Sequence, residues 1–210
     1  MGKLGQLEEI EQKTSIIPAY CSLDYPLSDS HVRKKSKTES RGKTVLDVGC
    51  GFKALGTVNV DLFTGPSEHR GVSRKQPKEC GALDVHSLKN FVKADACHLP
   101  FKDDSFDIVY SNQVIEHQGV NPELFVKEAV RVSKKRIIIL CPHRFERFFG
   151  TKENREVHQN YLNKKWFFAI FRKLGTLSPH VAYTDWFYIP HECLPLLRIP
   201  TQMKVDTWKR

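Results

Sequence analysis

The stretch that most constrains the fold is TVLDVGCGFKALGTVNVDL, which spans residues 44–62. Two short apolar runs rich in Val have the length of buried strands, and each ends beside an aspartate. Only nine residues separate Gly51, after the first run, from Asp61, at the end of the second. A gap of that length holds at most about one helical turn besides the second strand. The stretch therefore predicts two neighbouring strands joined by a shortened first crossover helix.

The remaining chain alternates strand-like runs with helical patterns. Asn121 followed by Pro122 is typical of a helix start, and an apolar stripe follows (Leu124, Phe125, Glu128, Ala129 and Val132). A second helix is predicted over 164–174. The predicted strands are residues 44–48, 57–62, 88–96, 105–112, 136–140, 180–186 and 203–209. The alternation predicts an α/β fold with a Rossmann-like open, mostly parallel sheet.

Length and charge divide the chain into a main domain and additions. A chain of 210 residues suits one domain, predicted over 44–210 after a lid-like N-terminal helix and basic approach segment over 1–43. The net charge is +9, and the excess is uneven: one basic cluster lies in 31–43, and the other in a basic, aromatic segment over 143–175. Its 143–173 part suits RNA or another polyanion, or simply a solvated surface. An insert over 185–200 is expected to line the acceptor pocket together with 1–43.

Several classes of protein are disfavoured. The apolar runs, such as 137–141, are far shorter than a membrane span. The N-terminus carries acids where a signal peptide would be apolar. We therefore expect a cytoplasmic protein with no membrane contact. The six cysteines show no CxxC pair, which favours reduced, buried thiols and predicts no metal site.

Polar residues follow the first four predicted strands. Ligands of open α/β sheets bind beyond the carboxyl ends of the strands. Asp47, Gly49 and Gly51 follow the first strand, where the glycines allow the backbone to approach a ligand closely. The later strand ends carry Asp61, Asp95 and Asn112. Asp61 is placed to accept hydrogen bonds from ribose hydroxyls, while Asp95 and the Ala96 amide could bind a base.

These motifs resemble class I S-adenosylmethionine-dependent methyltransferases, in particular the small methyltransferase-11-like group. The resemblance covers about 44–142 and is carried by VLDVGCG, VNVDL, VKADACHLPFKDDSFDIVYSNQVIEH and RIIILCP. It implies a seven-stranded sheet with a reversed last hairpin and S-adenosylmethionine as cofactor. By this resemblance Asp47, Gly49, Gly51, Asp61, Leu62, Asp95, Ala96, Asn112 and Gln113 would bind the cofactor. Lys53 departs from the family, which usually has glycine at that position.

A nicotinamide dinucleotide site is the main rival, because Gly49, Gly51 and Ala54 formally match GxGxxA. Such a site needs a helix N-terminus for its pyrophosphate and an acid about 20 residues beyond the glycines. The short gap before Asp61 does not accommodate that helix. Since S-adenosylmethionine has no phosphate, the methyltransferase interpretation is favoured.

Two histidines are candidates for a general base. His117 follows the fourth strand, and His143 follows the fifth; Tyr110 and His158 are weaker candidates, and Tyr110 is predicted to be core. The acceptor is predicted to be a small molecule, with RNA or a ribonucleoprotein as the alternative. A non-catalytic S-adenosylmethionine-binding subunit is a third hypothesis. Asn112 is not followed by the diprolyl turn common in enzymes that methylate planar amino groups, which disfavours such acceptors.

Overall fold

The computed structural model describes residues 41–51, 54–62, 90–149, 158–191 and 194–209. In these ranges the strands are β1 Val45–Val48, β2 Val58–Asp61, β3 Phe91–Lys93, β4 Phe106–Asn112, β5 Ser133–Pro142, β6 His180–His191 and β7 Leu194–Trp208. They form one seven-stranded sheet in the order β3-β2-β1-β4-β5-β7-β6. β1 to β5 pair in parallel, whereas β7 is antiparallel to both β5 and β6. The predicted mostly parallel sheet with a reversed last hairpin is confirmed.

The helices are α1 Pro122–Val132, α2 Glu146–Phe149 and α3 Lys164–Lys173. The Asn121 side chain caps α1 as predicted, because its Oδ1 accepts from the backbone N–H groups of Glu123 at 3.0 Å and Leu124 at 3.2 Å. The predicted stripe was wrong at Leu124, which is 38% exposed. Val126 and Val130 are buried instead, beside Phe125 and Ala129. The buried face is thus centred on 125–126 and 129–130, which leaves position 124 on its flank.

The core lies on both faces of the sheet. Along β5, Ile137 and Ile139 belong to the larger cluster, which includes the buried residues of α1 and α3. Ile138 and Leu140 alternate with them and face a second cluster, which contains Tyr110. The uninterrupted apolar run is therefore buried on both sides, as a central parallel strand requires. Tyr110 is 2% exposed, which confirms its predicted core position.

The β6–β7 hairpin is longer than its two predicted strands. Its outer part contains the segment 185–200, which was predicted as an insert and continues both strands of the hairpin. The last pair between β5 and β7 is Pro142 with Gln202. Beyond it, in the described residues, β7 is paired with β6 alone, so prolines 195 and 200 lie in an edge part of the strand, where proline is tolerated. Whether this part of the hairpin lines an acceptor pocket stays a prediction.

Some predictions fall on residues that the structure does not describe. These are the N-terminal segment as far as residue 40, the loop within 63–89, and Lys53. Between β1 and β2, none of residues 49–51 and 54–57 is helical; the shortened crossover helix stays a prediction. In the described ranges no helix has the length and apolarity needed to span a membrane. The described cysteines (50, 97 and 141) are buried and none forms a disulfide.

Candidate active site

The turn after β1 folds back on the end of β2. The backbone N–H groups of Gly49 and Cys50 both donate to the carbonyl oxygen of Val60, at 2.7 and 3.0 Å. Gly49 has φ +72°, and a Cβ at this position would overlap the side chain of Val114. The loop after β4 therefore packs directly on the glycine turn. Gly49 is required by both its backbone conformation and this contact.

Two buried carboxylates flank the turn. Asp47 is 3% exposed and Asp61 6%. The Leu55 N–H donates to Asp47 Oδ2 at 2.8 Å, and the Gly51 N–H donates to Asp61 Oδ2 at 2.9 Å. Burial raises the pKa of the Cys50 thiol well above its ordinary value, and the negative charges of Asp47 and Asp61 raise it further. The turn thus has a negative potential that favours a positively charged ligand.

Gly51 and Gln113 indicate whether a ligand can bind beside the glycine turn. Gly51 has φ +50°, and the space where its Cβ would stand is open. A ligand can therefore lie against the backbone there. Gln113, directly after β4, has φ +58°, and its buried Nε2 has no hydrogen-bond partner in the described part of the chain. An open glycine, an unsatisfied donor and two carboxylates suit a polar, cationic ligand such as S-adenosylmethionine.

Asp95 and Ala96 lie in the loop after β3, beside the end of β2. The Ala94 N–H donates to the Asp61 carbonyl at 3.0 Å, which joins the two strand ends. The Asp95 side chain is 51% exposed, and its Oδ1 accepts from the Cys97 N–H at 2.8 Å. Leu62 follows β2 and is 50% exposed. The predicted cofactor residues of β1 to β4 therefore all lie at the carboxyl edge of the sheet.

A clamp on α1, formed by Glu128 and Arg131, holds this loop. Glu128 Oε2 accepts from the Leu99 N–H at 2.8 Å. Arg131 donates to Glu128 Oε1 and Oε2, each at 2.7 Å, and to the carbonyls of Leu99 and Phe101. Hydrogen bonds from Arg131, followed by the Leu99 bond, lower the pKa of Glu128. Sequence reasoning missed the clamp, because it counted Glu128 only as part of an apolar stripe.

His117 lies in the loop after β4, next to a segment distant in sequence. It forms an isolated antiparallel bridge with His158, and the two rings are 5.0 Å apart. The Asn160 side chain secures the contact, since its Nδ2 donates to the carbonyls of Ile115 at 3.0 Å and Val120 at 2.8 Å. Asn160 was missed by sequence reasoning, because nothing local to it indicates contact with the β4 loop.

His143 follows β5 and lies in a different environment from His117. It is 5% exposed and packs edge-on against Tyr183, with ring centroids 5.4 Å apart. It borders a cavity of about 920 Å³, whose other lining residues are Arg144, Phe145, Asn163, Lys164, Lys165, Phe168, Ala169, Arg172, Ser178 and Tyr183. Among the described residues, the lining thus combines aromatic rings with four cations and includes no carboxylate.

The cavity reaches the carboxyl edge of the sheet, because His143, Arg144 and Phe145, which directly follow β5, line it; Arg172 and Ser178 line it from the other end of α3. β6 runs parallel to β5, because both are antiparallel to β7. α3 connects β5 to β6 and must therefore run against them, beginning near the carboxyl edge. The lining residues Asn163 to Phe168 belong to that beginning. The described residues thus place an acidic glycine turn and a basic, aromatic cavity along one edge.

Comparisons with known proteins agree with this arrangement. A family model described as a methyltransferase domain matches residues 46–141. The YcgJ protein of Bacillus subtilis has a TM-score of 0.56 at 16% identity, covering 86% of this chain and 99% of its own. A SAM-dependent methyltransferase from Archaeoglobus fulgidus has a TM-score of 0.52 at 17% identity, covering 84% and 94%. These structures show the fold.

Curated relatives match over part of their length. Ajmaline N-methyltransferase of Rauvolfia serpentina is 24% identical over 70% of this chain and 56% of its own length. Tocopherol O-methyltransferase of Arabidopsis thaliana is 32% identical over 60% of this chain and 38% of its own length. This chain thus spans about half the length of these relatives, or less.

The fold and the strand-end site define a class I, Rossmann-like methyltransferase domain. The family match over residues 46–141, together with this fold, supports a class I S-adenosylmethionine-dependent methyltransferase, as the sequence motifs predicted. S-adenosylmethionine is the cofactor of the class. The individual roles predicted for the site residues stay predictions.

Proposed function

We propose that this chain catalyses methylation of a small-molecule acceptor with S-adenosylmethionine as donor. The observation that carries the proposal is the cavity of about 920 Å³ on the same sheet edge as the acidic glycine turn. Its size lies within the range of roughly 300–1,000 Å³ that is typical of small-molecule sites. The named relatives, which methylate ajmaline and tocopherol, support this class of acceptor.

The residues of the glycine turn would bind the donor. S-adenosylmethionine supplies an electrophilic methyl group on a positively charged sulfur. Asp61 and Asp95 would accept hydrogen bonds from its ribose and adenine, Ala96 would donate to the base, and Leu62 would pack beside them. Asp47, Gly49, Gly51, Asn112 and Gln113 would surround the methionine part. The negative field of Asp47 and Asp61 favours a cationic donor there.

The cavity predicts the chemistry of the acceptor. Four cations line it (Arg144, Lys164, Lys165 and Arg172), and three aromatic rings accompany them (Phe145, Phe168 and Tyr183). We therefore propose an acceptor with an apolar or aromatic body and an anionic group. His143 is the base candidate that borders the cavity. It would accept the proton of an acceptor hydroxyl or amine as the new bond forms.

RNA remains the second candidate, on a specific observation. Arg144 lies 5.3 Å from the centre of the Phe145 ring, and Arg147 lies 5.9 Å from that of Tyr161. Phe148 is 68% exposed next to them. Cations beside exposed rings are a common surface for single-stranded nucleic acid.

Tritiated S-adenosylmethionine distinguishes these candidates. The protein is incubated separately with a metabolite extract and with an RNA pool from one source. We expect label in the metabolite fraction, retained in anion-exchange chromatography, and a strong reduction in the His143→Gln variant. His180→Gln is the matched control, because His180 is exposed at the start of β6. Label confined to RNA would favour the second candidate, whereas donor binding without label in any fraction would favour a non-catalytic subunit.

A further inference from the structure

Three potential metal ligands converge beside the loop that follows β4. Glu116, His117 and His158 each offer one ligand atom, and these atoms all lie within 4.8 Å of one another. Glu116 is 1% exposed and His158 6%, whereas His117 is half-buried. We propose that this cluster binds a divalent transition-metal ion.

The distances are close to those that a metal requires. Bonds of about 2.0–2.2 Å to nitrogen and oxygen place the ligand atoms of a tetrahedral site about 3–4 Å apart. The observed limit of 4.8 Å exceeds that spacing by about 1 Å, so we expect the side chains to draw together when an ion binds. Three protein ligands also leave a coordination position for water or another small ligand.

The backbone fixes the cluster before any ion arrives. The carbonyl of Glu116 accepts from the N–H groups of Gln159 at 2.8 Å and Asn160 at 3.1 Å. The Asn160 side chain donates to three carbonyls of the β4 loop. The two ligand-bearing segments are thus held together by main-chain geometry. A preorganised site of this kind reduces the conformational entropy lost when an ion binds.

The types of ligand select the class of ion. Two imidazoles and one carboxylate suit zinc, iron, cobalt or manganese, whereas magnesium and calcium prefer oxygen ligands throughout. Removing a carboxylate from water is also costly, and a divalent ion beside it would offset that cost. Sequence spacing predicted no metal site, since His158 is 41 residues from His117 along the chain and only the fold brings it close.

The metal site would change the role expected of His117. A ring nitrogen that coordinates an ion cannot at the same time accept a proton. His117 would then be a ligand, and His143 would remain the base candidate. The proposal does not depend on which acceptor is methylated, or on whether methylation occurs.

Cobalt(II) is the probe for the wild-type protein. The full chain is treated with a chelator, dialysed, and titrated with Co²⁺ alone while its visible absorption is recorded. We expect one equivalent to bind with the ligand-field bands of a nitrogen and oxygen site, and Zn²⁺ to displace it. Absence of such binding would overturn the proposal. A strong sulfur-to-metal charge-transfer band would also overturn it, because it would indicate a cysteine site.

Variants show whether the ion binds at this cluster. Glu116→Gln and His158→Gln each remove a ligand while keeping a polar side chain of similar size. Outer-sphere changes already cost about 10–100-fold in metal affinity, so we expect a loss of at least about 100-fold. His98→Gln is the control, since this side chain is 74% exposed and lies outside the cluster. Circular dichroism checks that each variant is folded.

Unchanged Co²⁺ affinity in folded Glu116→Gln and His158→Gln would place the ion elsewhere and overturn the proposal. A stabilising pair between Glu116 and a protonated histidine without metal is the competing account. It predicts that Zn²⁺ leaves the melting temperature of the wild-type protein unchanged. We expect Zn²⁺ to raise it, with no increase in the Glu116→Gln variant.

Discussion

The two halves of the carboxyl edge are built differently. Among the described residues on the side of β1 to β3, the buried charged groups are carboxylates that accept backbone N–H groups, as Asp47 does from Leu55 and Asp61 from Gly51. On the side of β5 to β7, the described charged residues that line the cavity are cations, and two of them lie over aromatic rings: Arg144 over Phe145 and Lys164 over Phe168. The first half is therefore fixed by main-chain geometry, whereas the second is formed by side chains.

This difference suggests how a domain of this class divides its work. A site built on main-chain turns binds one ligand with little freedom to change. A cavity lined by side chains can accept different partners through substitution, while the sheet beneath it is unchanged. The opposite charges would also keep the donor and the proposed acceptor apart, because each half favours the ion that the other repels. Substitutions in the first half should therefore have larger effects than those in the second.

The largest effect is expected from Gly49→Ala. The new Cβ would overlap Val114, and φ +72° is unfavourable for alanine. Overpacking together with left-handed strain should lower the free energy of unfolding by about 2–4 kcal/mol. Urea denaturation followed by circular dichroism measures the change.

Gly51→Ala is the matched control, since its Cβ would stand in open space. It should cost about 1 kcal/mol of stability through strain alone, yet reduce donor affinity. Equal destabilisation by the two substitutions would show that the contact between Val114 and the glycine turn is not important.

The next largest effect, on the affinity for S-adenosylmethionine, is expected from Asp61→Asn. The introduced amide would keep an acceptor for the Gly51 N–H but lose the negative charge. A hydrogen bond to a charged group contributes about 1.5–3 kcal/mol, so S-adenosylmethionine affinity should fall roughly tenfold to hundredfold. Calorimetric titration measures it, with Asp104→Asn on the exposed β4 approach as control. An affinity within about twofold of wild type would argue against a role of Asp61 in donor binding.

A smaller effect, of about 1 kcal/mol, is expected from the clamp formed by Glu128 and Arg131. Because the folded-state pKa of Glu128 is lowered, its contribution is present above the ordinary value of 4.5 and is lost as pH falls through the folded-state pKa. Glu128→Gln should therefore lower stability at neutral pH and reduce its loss towards acid pH. Urea denaturation at neutral and acid pH tests this. An unchanged acid dependence would mean that other carboxylates dominate.

The half built on main-chain turns was also the more predictable from sequence. Asp47 and Asp61 are recognisable because each ends a short apolar run, and parallel strands bring such ends to one edge. The mostly parallel sheet followed from the alternation of strands with helices, whereas the reversed last hairpin followed from the family resemblance. The positions of Asp95 and Asn112 at the same edge followed in the same way. Local patterns were sufficient there because each of these four residues lies within one residue or two of a strand end.

Contacts between distant segments were not predictable in this way. The hydrogen bonds of Asn160 to the β4 loop, and the approach of His158 to His117, join residues about 40 positions apart. Nothing in the local composition around 158–160 indicates them. The Arg136 pair with Asp206 similarly links β5 to β7 across 70 positions, with its shorter bond at 2.6 Å. Such contacts follow from the packing of the completed fold.

The smallest effect is expected from removing two cavity cations, in the double variant Arg144→Ala and Lys164→Ala. Both side chains are exposed, so stability should change by less than about 0.5 kcal/mol.

Each contact with a single-stranded polyanion adds about 0.7 to the slope of log affinity against log salt concentration. If the cavity serves a small acceptor, binding of a single-stranded RNA should be weak. Its slope should then change by much less than the value of about 1.4 expected for two lost contacts. Lys134→Ala with Lys135→Ala, at the start of β5, is the control for net charge. If the slope decreased by about 1.4 in the cavity variant and not in the control, RNA would bind along the basic half of the edge. Net charge would not explain this difference, because the two variants lose the same charge.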